Sequence, residues 1–159
     1  MPRSHSHVLR KGRHSEAGRI YLLTTVTRAR RPLFSDLSLG RIVVHAMRYQ
    51  ELQQRVESLA FVVMPDHLHW LMALQPQSSL AEVMKSMKSW SARRIGEILR
   101  QRGEDESAGI WQAGFHDHAL RREEDLAATA RYLVANPLRA GLVRSVGDYP
   151  LWDAIWLEG

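Results

Sequence analysis

Two apolar runs, "LAFVVM" (Leu59 to Met64) and "HLHWLMAL" (His67 to Leu74), are separated by Pro65-Asp66 alone, and that spacing constrains the fold more than any other feature of the chain. Pro-Asp is turn chemistry. Two residues leave no room for a crossover, so the strands pair antiparallel. The other segments arrange themselves around this hairpin. "RIYLLTTVT" (Arg19 to Thr27), rich in β-branched and aromatic residues, reads as an earlier strand. "DLSLGRIVVHAMRYQELQQR" places Leu39, Ile42, Val43, Ala46 and Met47 at helical spacing behind an Asp/Ser cap. After the hairpin, Ser78 or Ser79 caps a long helix that buries Leu80, Val83, Met84, Met87, Ile98 and Leu99 and ends before Gly103. "EDESAG" is a loop, and Gly114 to Arg121 ("GFHDHALR") is a fourth strand. Glu123 to Asn136 is a last helix, with acidic residues in its first turn, where the macrodipole favours them, and Pro137 at its close.

The order is βαββαβ plus a final helix. It predicts an α+β, ferredoxin-like split βαβ domain: a four-stranded antiparallel sheet with helices on its faces and a C-terminal helix bearing Tyr132. A chain of 159 residues suits one domain, here 1–159, with a basic N-terminal arm over 1–15 and a tail over 143–159. This plan hosts many activities, so function has to be read from the site.

Charge narrows the partners. The formal net charge is +5 and the pI about 10.1, which favours an anionic partner, nucleic acid being the commonest. Candidate contacts to DNA are Arg10, Lys11 and Arg13 in the arm, Arg28, Arg30 and Arg31 in "TRARRP", Lys85 and Lys88 on the second helix, and Arg121 beyond the fourth strand. Trp111 is a candidate for stacking on unpaired bases, whereas Phe115 reads as core. The absence of cysteine excludes disulfides and thiolate metal sites and agrees with a cytoplasmic chain. No segment has the length and apolarity of a membrane span, so no membrane partner is expected.

The hairpin's second strand carries the chemistry. Alternation puts His67, His69, Leu71 and Ala73 on one face and Leu68, Trp70, Met72 and Leu74 on the other. Two neutral imidazoles on one face can converge on a divalent cation. An isolated His-x-His more often packs or caps a turn, so the pair needs partners. His116 and His118 repeat the spacing around Asp117, which suits a polar groove or a supporting role behind the first pair. On the last helix Tyr132 and Asn136 fall within about 40° on one face, with Asp125 and Thr129 extending the stripe and Leu126, Ala130, Leu133 and Val134 forming the buried side.

Together these blocks resemble the HUH single-tyrosine transposases, and most closely the REP-associated tyrosine transposases. The resemblance is carried by "GRIYLLTTVTRARRPLF", "FVVMPDHLHWLM", "IWQAGFHDHALRREEDL" and "ARYLVANPLRAGLV", in the family's order, from about Arg10 to Leu142. It implies a nuclease and strand transferase that cuts single-stranded DNA next to a hairpin through a 5′-phosphotyrosine intermediate. In the family's pattern His67 and His69 bind Mg²⁺ or Mn²⁺, Tyr132 is the nucleophile, and Asn136 completes the metal site. The REP-associated group resembles monomers acting in cis, with a dimer as the alternative. The short tail "DYPLWDAIWLEG" departs from relatives with longer tails that help read DNA, which puts that role in doubt here.

Two readings of other classes compete. A non-catalytic or domesticated ferredoxin-like module that binds hairpin DNA or RNA would need aromatics on the central strands. "HLHWLMAL" offers only Trp70, opposite the histidines. A zinc hydrolase using His67, His69, His116 and His118 leaves Tyr132 and Asn136 unexplained and lacks a general-base Glu beside the ligands.

Overall fold

A computed structural model describes residues 19–121 and 123–154. Its strands are β1 (Ile20–Val26), β2 (Val56–Met64), β3 (His67–Leu74), β4 (His116–Leu120) and β5 (Trp152–Ala154). Its α-helices are α1 (Leu37–Leu52), α2 (Leu80–Gln101), α3 (Glu123–Val134) and the short α4 (Asn136–Arg139). The sheet order is β4-β1-β3-β2-β5, with antiparallel neighbours throughout. The first four strands follow the expected split βαβ plan. The sheet has five strands rather than four because the tail supplies β5, which pairs Trp152 with Val62 and Ala154 with Ala60. Three residues carry too little pattern to announce a strand; the open edge of β2 recruits them.

Two other boundaries differ from expectation. β2 begins at Val56, not Leu59. Its register against β3 shifts between Ser58 and Ala60, and this bulge breaks the alternation on which a sequence reading depends. The last helix ends at Val134, and Asn136 opens a separate short helix in which Pro137 occupies the first turn. Proline has no N–H to continue the ladder of α3, so the chain steps at Ala135 before turning again.

Both faces of the sheet are covered. One core packs α1 and α2 against Leu23, Val63, Leu68, Trp70, Met72 and Leu74. Trp70 is wholly buried there, its indole N–H donating to Ser58 Oγ at 3.0 Å, as a buried indole requires. That placement removes the aromatic that β3 could have offered to a stacking platform. The other core packs Leu126, Ala130, Leu133 and Val134 of α3 against Ile20, Val62, Met64, Leu71 and Ala73. Leu71 and Ala73 share the histidine face of β3, so α3 lies on the same side of the sheet as His67 and His69.

The tail is built into this frame. Leu151 is buried against Gly40 of α1, Val63 N–H donates to the Leu151 carbonyl at 2.9 Å, and the Tyr149 hydroxyl donates to the Val63 carbonyl at 2.6 Å. Burial pushes the Tyr149 phenol up. No helix among the described residues is long and apolar enough to cross a membrane.

Candidate active site

β3 starts at the turn, so His67 and His69 sit at the open end of the sheet. Their ring centroids are 4.8 Å apart and their planes nearly perpendicular, at 81°. Each Nδ1 already has a partner. His67 Nδ1 lies 2.7 Å from Asp66 Oδ1. Burial works against the charge on Asp66, but hydrogen bonds from His67 and Arg30 outweigh it and hold the carboxyl below its ordinary value. An ionised carboxylate only accepts, so the proton of this bond sits on His67 Nδ1, and Nε2 is the nitrogen left outside it. His69 Nδ1 lies 2.9 Å from Thr24 Oγ1, the residue opposite it on β1. A hydroxyl can donate or accept, so this bond holds the ring in either neutral tautomer, and the one with its proton on Nδ1 leaves Nε2 free to bind. Burial first, then the nearby His67 and Arg139, pushes the His69 imidazole down to about 4, so it is neutral near pH 7.

Such an arrangement, one nitrogen of each ring tethered by an outer partner and the opposite nitrogen outside that bond, is what a metal-binding pair of histidines needs. Thr24 and Asp66 were not singled out from the sequence. Asp66 reads there as a turn residue, and Thr24 only meets His69 through the pairing of β1 with β3. Arg30 is tied to the same device, its Nη1 donating to Asp66 Oδ2 at 3.0 Å. Ala29 and Arg30 both hold positive φ, 55° and 52°, in the turn that delivers it. That left-handed pair is strained for residues bearing a Cβ. It is held by Thr27, whose hydroxyl donates to the Arg31 carbonyl at 2.8 Å and whose N–H donates to the Asp66 carbonyl at 2.9 Å.

Tyr132 projects from α3 with 67% of its surface exposed, an unusual state for a tyrosine beside a buried stripe. Arg139 covers its ring, with the guanidinium carbon 3.6 Å from the centroid. Arg139 Nη2 also donates to Asn136 Oδ1 at 2.7 Å. The expected stripe of Tyr132 and Asn136 therefore gains a third member, three residues further on, which sequence reasoning missed. Asn136 is half-buried and its carbonyl oxygen is engaged by this arginine.

The second histidine pair stands apart. His116 and His118 are exposed on the edge strand β4, and His116 faces Thr24 across the ladder, two strands or about 10 Å from His69. Among the described residues no cluster of three or more His, Cys, Asp or Glu side chains is placed to hold a metal, so a four-histidine zinc site does not form.

Several candidate DNA contacts are redirected. Trp111 is a core residue: it is buried, its ring centroid lies 5.4 Å from that of Phe34, and its indole N–H donates to Ser91 Oγ at 3.0 Å. It has no free face for a base. Lys88 is half-buried, and its ammonium donates to the carbonyls of Gln112 at 2.7 Å and Gly114 at 2.8 Å, fixing the loop before β4. Burial lowers its pKa. Arg28, Lys85 and Arg121 are exposed, Arg31 is half-buried, and Arg10, Lys11 and Arg13 lie outside the described residues.

This geometry has counterparts. A family profile described as "Transposase IS200 like" matches residues 18–136, from just before β1 to Asn136. The chain belongs to the IS200-like transposase family. It is 33% identical over 99 residues to a Haemophilus influenzae protein provisionally named a REP-associated tyrosine transposase, covering 59% of this chain and 56% of the relative. It is 26% identical over 107 residues to the Escherichia coli K12 REP-associated tyrosine transposase, covering 67% of this chain and 59% of the relative. The chain thus spans little more than half the length of these relatives. Its fold matches that of a REP-associated tyrosine transposase solved with a REP hairpin bound, with a TM-score of 0.70 and 24% identity over 86% of this chain and 76% of the other. A Deinococcus radiodurans R1 protein provisionally named a transposase also matches, with a TM-score of 0.55 and 24% identity over 71% of this chain and 86% of the other.

Proposed function

We propose that this member of the IS200-like transposase family is a metal-dependent endonuclease and strand transferase that cuts single-stranded DNA beside hairpins through Tyr132. The observation that carries the reading is the histidine pair: both Nδ1 atoms are tethered, to Asp66 and Thr24, on the sheet face that α3 covers. A core histidine would have no use for a second bare nitrogen. The donor set, two neutral imidazoles with the Asn136 amide, fits Mn²⁺ at least as well as the harder Mg²⁺. A divalent ion held there would polarise a non-bridging phosphate oxygen and offset charge in an in-line displacement.

The chain's own groups do the rest. The exposed phenol of Tyr132 has room for a phosphodiester in front of it. Its oxygen forms a bond to phosphorus as the bond from phosphorus to the 3′-oxygen breaks. The phenol proton leaves to solvent, and a proton from water caps the released 3′-hydroxyl. A 5′-phosphotyrosine stores the cleaved linkage, and attack by another 3′-hydroxyl reverses the step and rejoins DNA. Tyrosine rather than water as nucleophile is what separates strand transfer from hydrolysis. Exposed Arg28, Lys85 and Arg121 supply charge for the DNA backbone.

The decisive experiment incubates the full chain with a library of hairpin-bearing single strands and Mn²⁺, then digests any covalent product and maps it by mass spectrometry. A nucleotide on Tyr132 is the expected result. Adducts on Tyr21, Tyr49 or Tyr149, or undiminished cutting by Tyr132→Phe, would sink the mechanism.

A further inference from the structure

Arg139 has a face and an edge, and the two are used differently. The face lies 3.6 Å from the centre of the Tyr132 ring. One edge nitrogen, Nη2, bonds Asn136 Oδ1 at 2.7 Å. Its charge also reaches His69, adding to what keeps that imidazole neutral. Among the described residues no carboxylate pairs with it. A permanently charged guanidinium with five N–H donors is therefore held by a neutral ring and one neutral amide. Stacking occupies the plane of the group and leaves most of its edge open, and that edge matches the two oxygens of a phosphate. Its surroundings include the His69 imidazole and the Tyr132 phenol, and Asp66, the acid beside the histidine pair, is already committed to His67 and Arg30.

We infer that Arg139 is the phosphate clamp of this site, gripping a phosphodiester at its N–H edge while its face keeps the Tyr132 ring aligned. A phosphate that takes the edge carrying Nη2 competes with Asn136 for that donor, so its arrival there also frees Oδ1 of the amide. Nucleophile alignment, phosphate capture and release of the amide oxygen become one event. The identity of the phosphate as a DNA linkage rests on the nuclease reading above; the anion site itself does not.

The test uses the full chain with R139A and R139K. Inorganic phosphate is titrated while the Arg139 Nε–H and the Asn136 side-chain amide are followed by NMR. A saturable shift of both signals in the wild type, and of neither Asn136 proton in R139A, is expected. In the absence of DNA, Mn²⁺ should bind R139A as tightly as wild type or several-fold tighter, because a competing donor and a nearby cation are gone. Damaged structure would weaken it. With saturating hairpin-bearing single strand, single-turnover cleavage by R139A should fall about 100-fold, with hairpin affinity within about threefold of wild type. R139K keeps the charge but loses the planar fork, and should recover only a small part of that rate. Wild-type cleavage by R139A, or Mn²⁺ affinity falling in step with its rate, would overturn the assignment. Should the wild type form no adduct on Tyr132, the nuclease reading fails and the phosphate titration alone decides: shifts at Arg139 keep the clamp, and their absence removes it.

Discussion

Thr24 Oγ1 and His69 Nδ1 stand 2.9 Å apart, joined only because β1 pairs with β3 in a register that sets the two residues face to face. The hydroxyl tethers His69 through Nδ1 and so fixes the direction in which Nε2 points. Thr24→Val keeps a β-branched residue on a half-buried strand, so stability should move by less than about 1 kcal/mol. Mn²⁺ affinity should fall about tenfold or more, the usual cost of losing an outer partner of a metal-binding histidine. Calorimetric titration with Mn²⁺ in the absence of DNA measures it, with Thr24→Ser as the variant that restores the bond. Unchanged affinity in the valine variant would mean that the hydroxyl does not orient His69.

The two histidine pairs should behave differently. His67→Ala removes the ring tethered by Asp66 and should abolish adduct formation while leaving hairpin affinity within about threefold, since affinity draws mainly on phosphate contacts. His116→Ala alters an exposed residue two strands away and should do far less. Gel-resolved adduct yield beside equilibrium hairpin binding separates the two effects. Equal losses from both variants would mean that the edge strand belongs to the site.

Gly40 tests how the tail is seated. A Cβ placed there would collide with Leu151 Cδ1, so one of the two must shift. Gly40→Ala gains about 1 kcal/mol of helix propensity, but overpacking a filled core costs about 1–3 kcal/mol. A net loss of about 1 kcal/mol is expected from urea unfolding. In a Leu151→Ala background, itself about 2 kcal/mol less stable, the obstruction is gone and Gly40→Ala should stabilise. The sign reversal is the measurement, and additivity of the two substitutions would refute the contact.

Asp36 gives a pH signature away from the site. It caps α1 by accepting from Ser38 N–H at 3.0 Å and from the Ser38 hydroxyl and Arg102, both at 2.6 Å. Hydrogen bonds from Ser38 and then Arg102 hold its carboxyl down at about 2, against 3.8 ordinarily. A lowered folded pKa means stabilisation that is fully present above 3.8 and lost as the pH falls through about 2. Asp36→Ala should cost about 1 kcal/mol at neutral pH, the usual worth of such a cap. Chemical unfolding near pH 2 should bring variant and wild type together.

The sequence by itself determined the local facts. Alternation put His67 and His69 on one face and Leu68 and Trp70 on the other, because a strand's period is fixed by its own backbone. The spacing of Leu126, Ala130, Leu133 and Val134 set the buried side of α3, and with it the exposed side from which Tyr132 projects. The two-residue Pro65-Asp66 link fixed the hairpin, and the order of patterns fixed the split βαβ plan. What only the tertiary structure decided depends on residues far apart in the chain. Trp111 and Lys88 looked available for DNA, but burial beside Phe34 and the carbonyls before β4 claimed them. Thr24 meets His69 across 45 residues, and the tail became β5 because the edge of β2 lay open to it. Arg139, by contrast, is only three residues beyond Asn136 and seven beyond Tyr132, so its contacts with both are local ones. Periodicity reports which way a side chain points, but its partner is set by the packing of the whole chain, where long-range burial outweighs local preference.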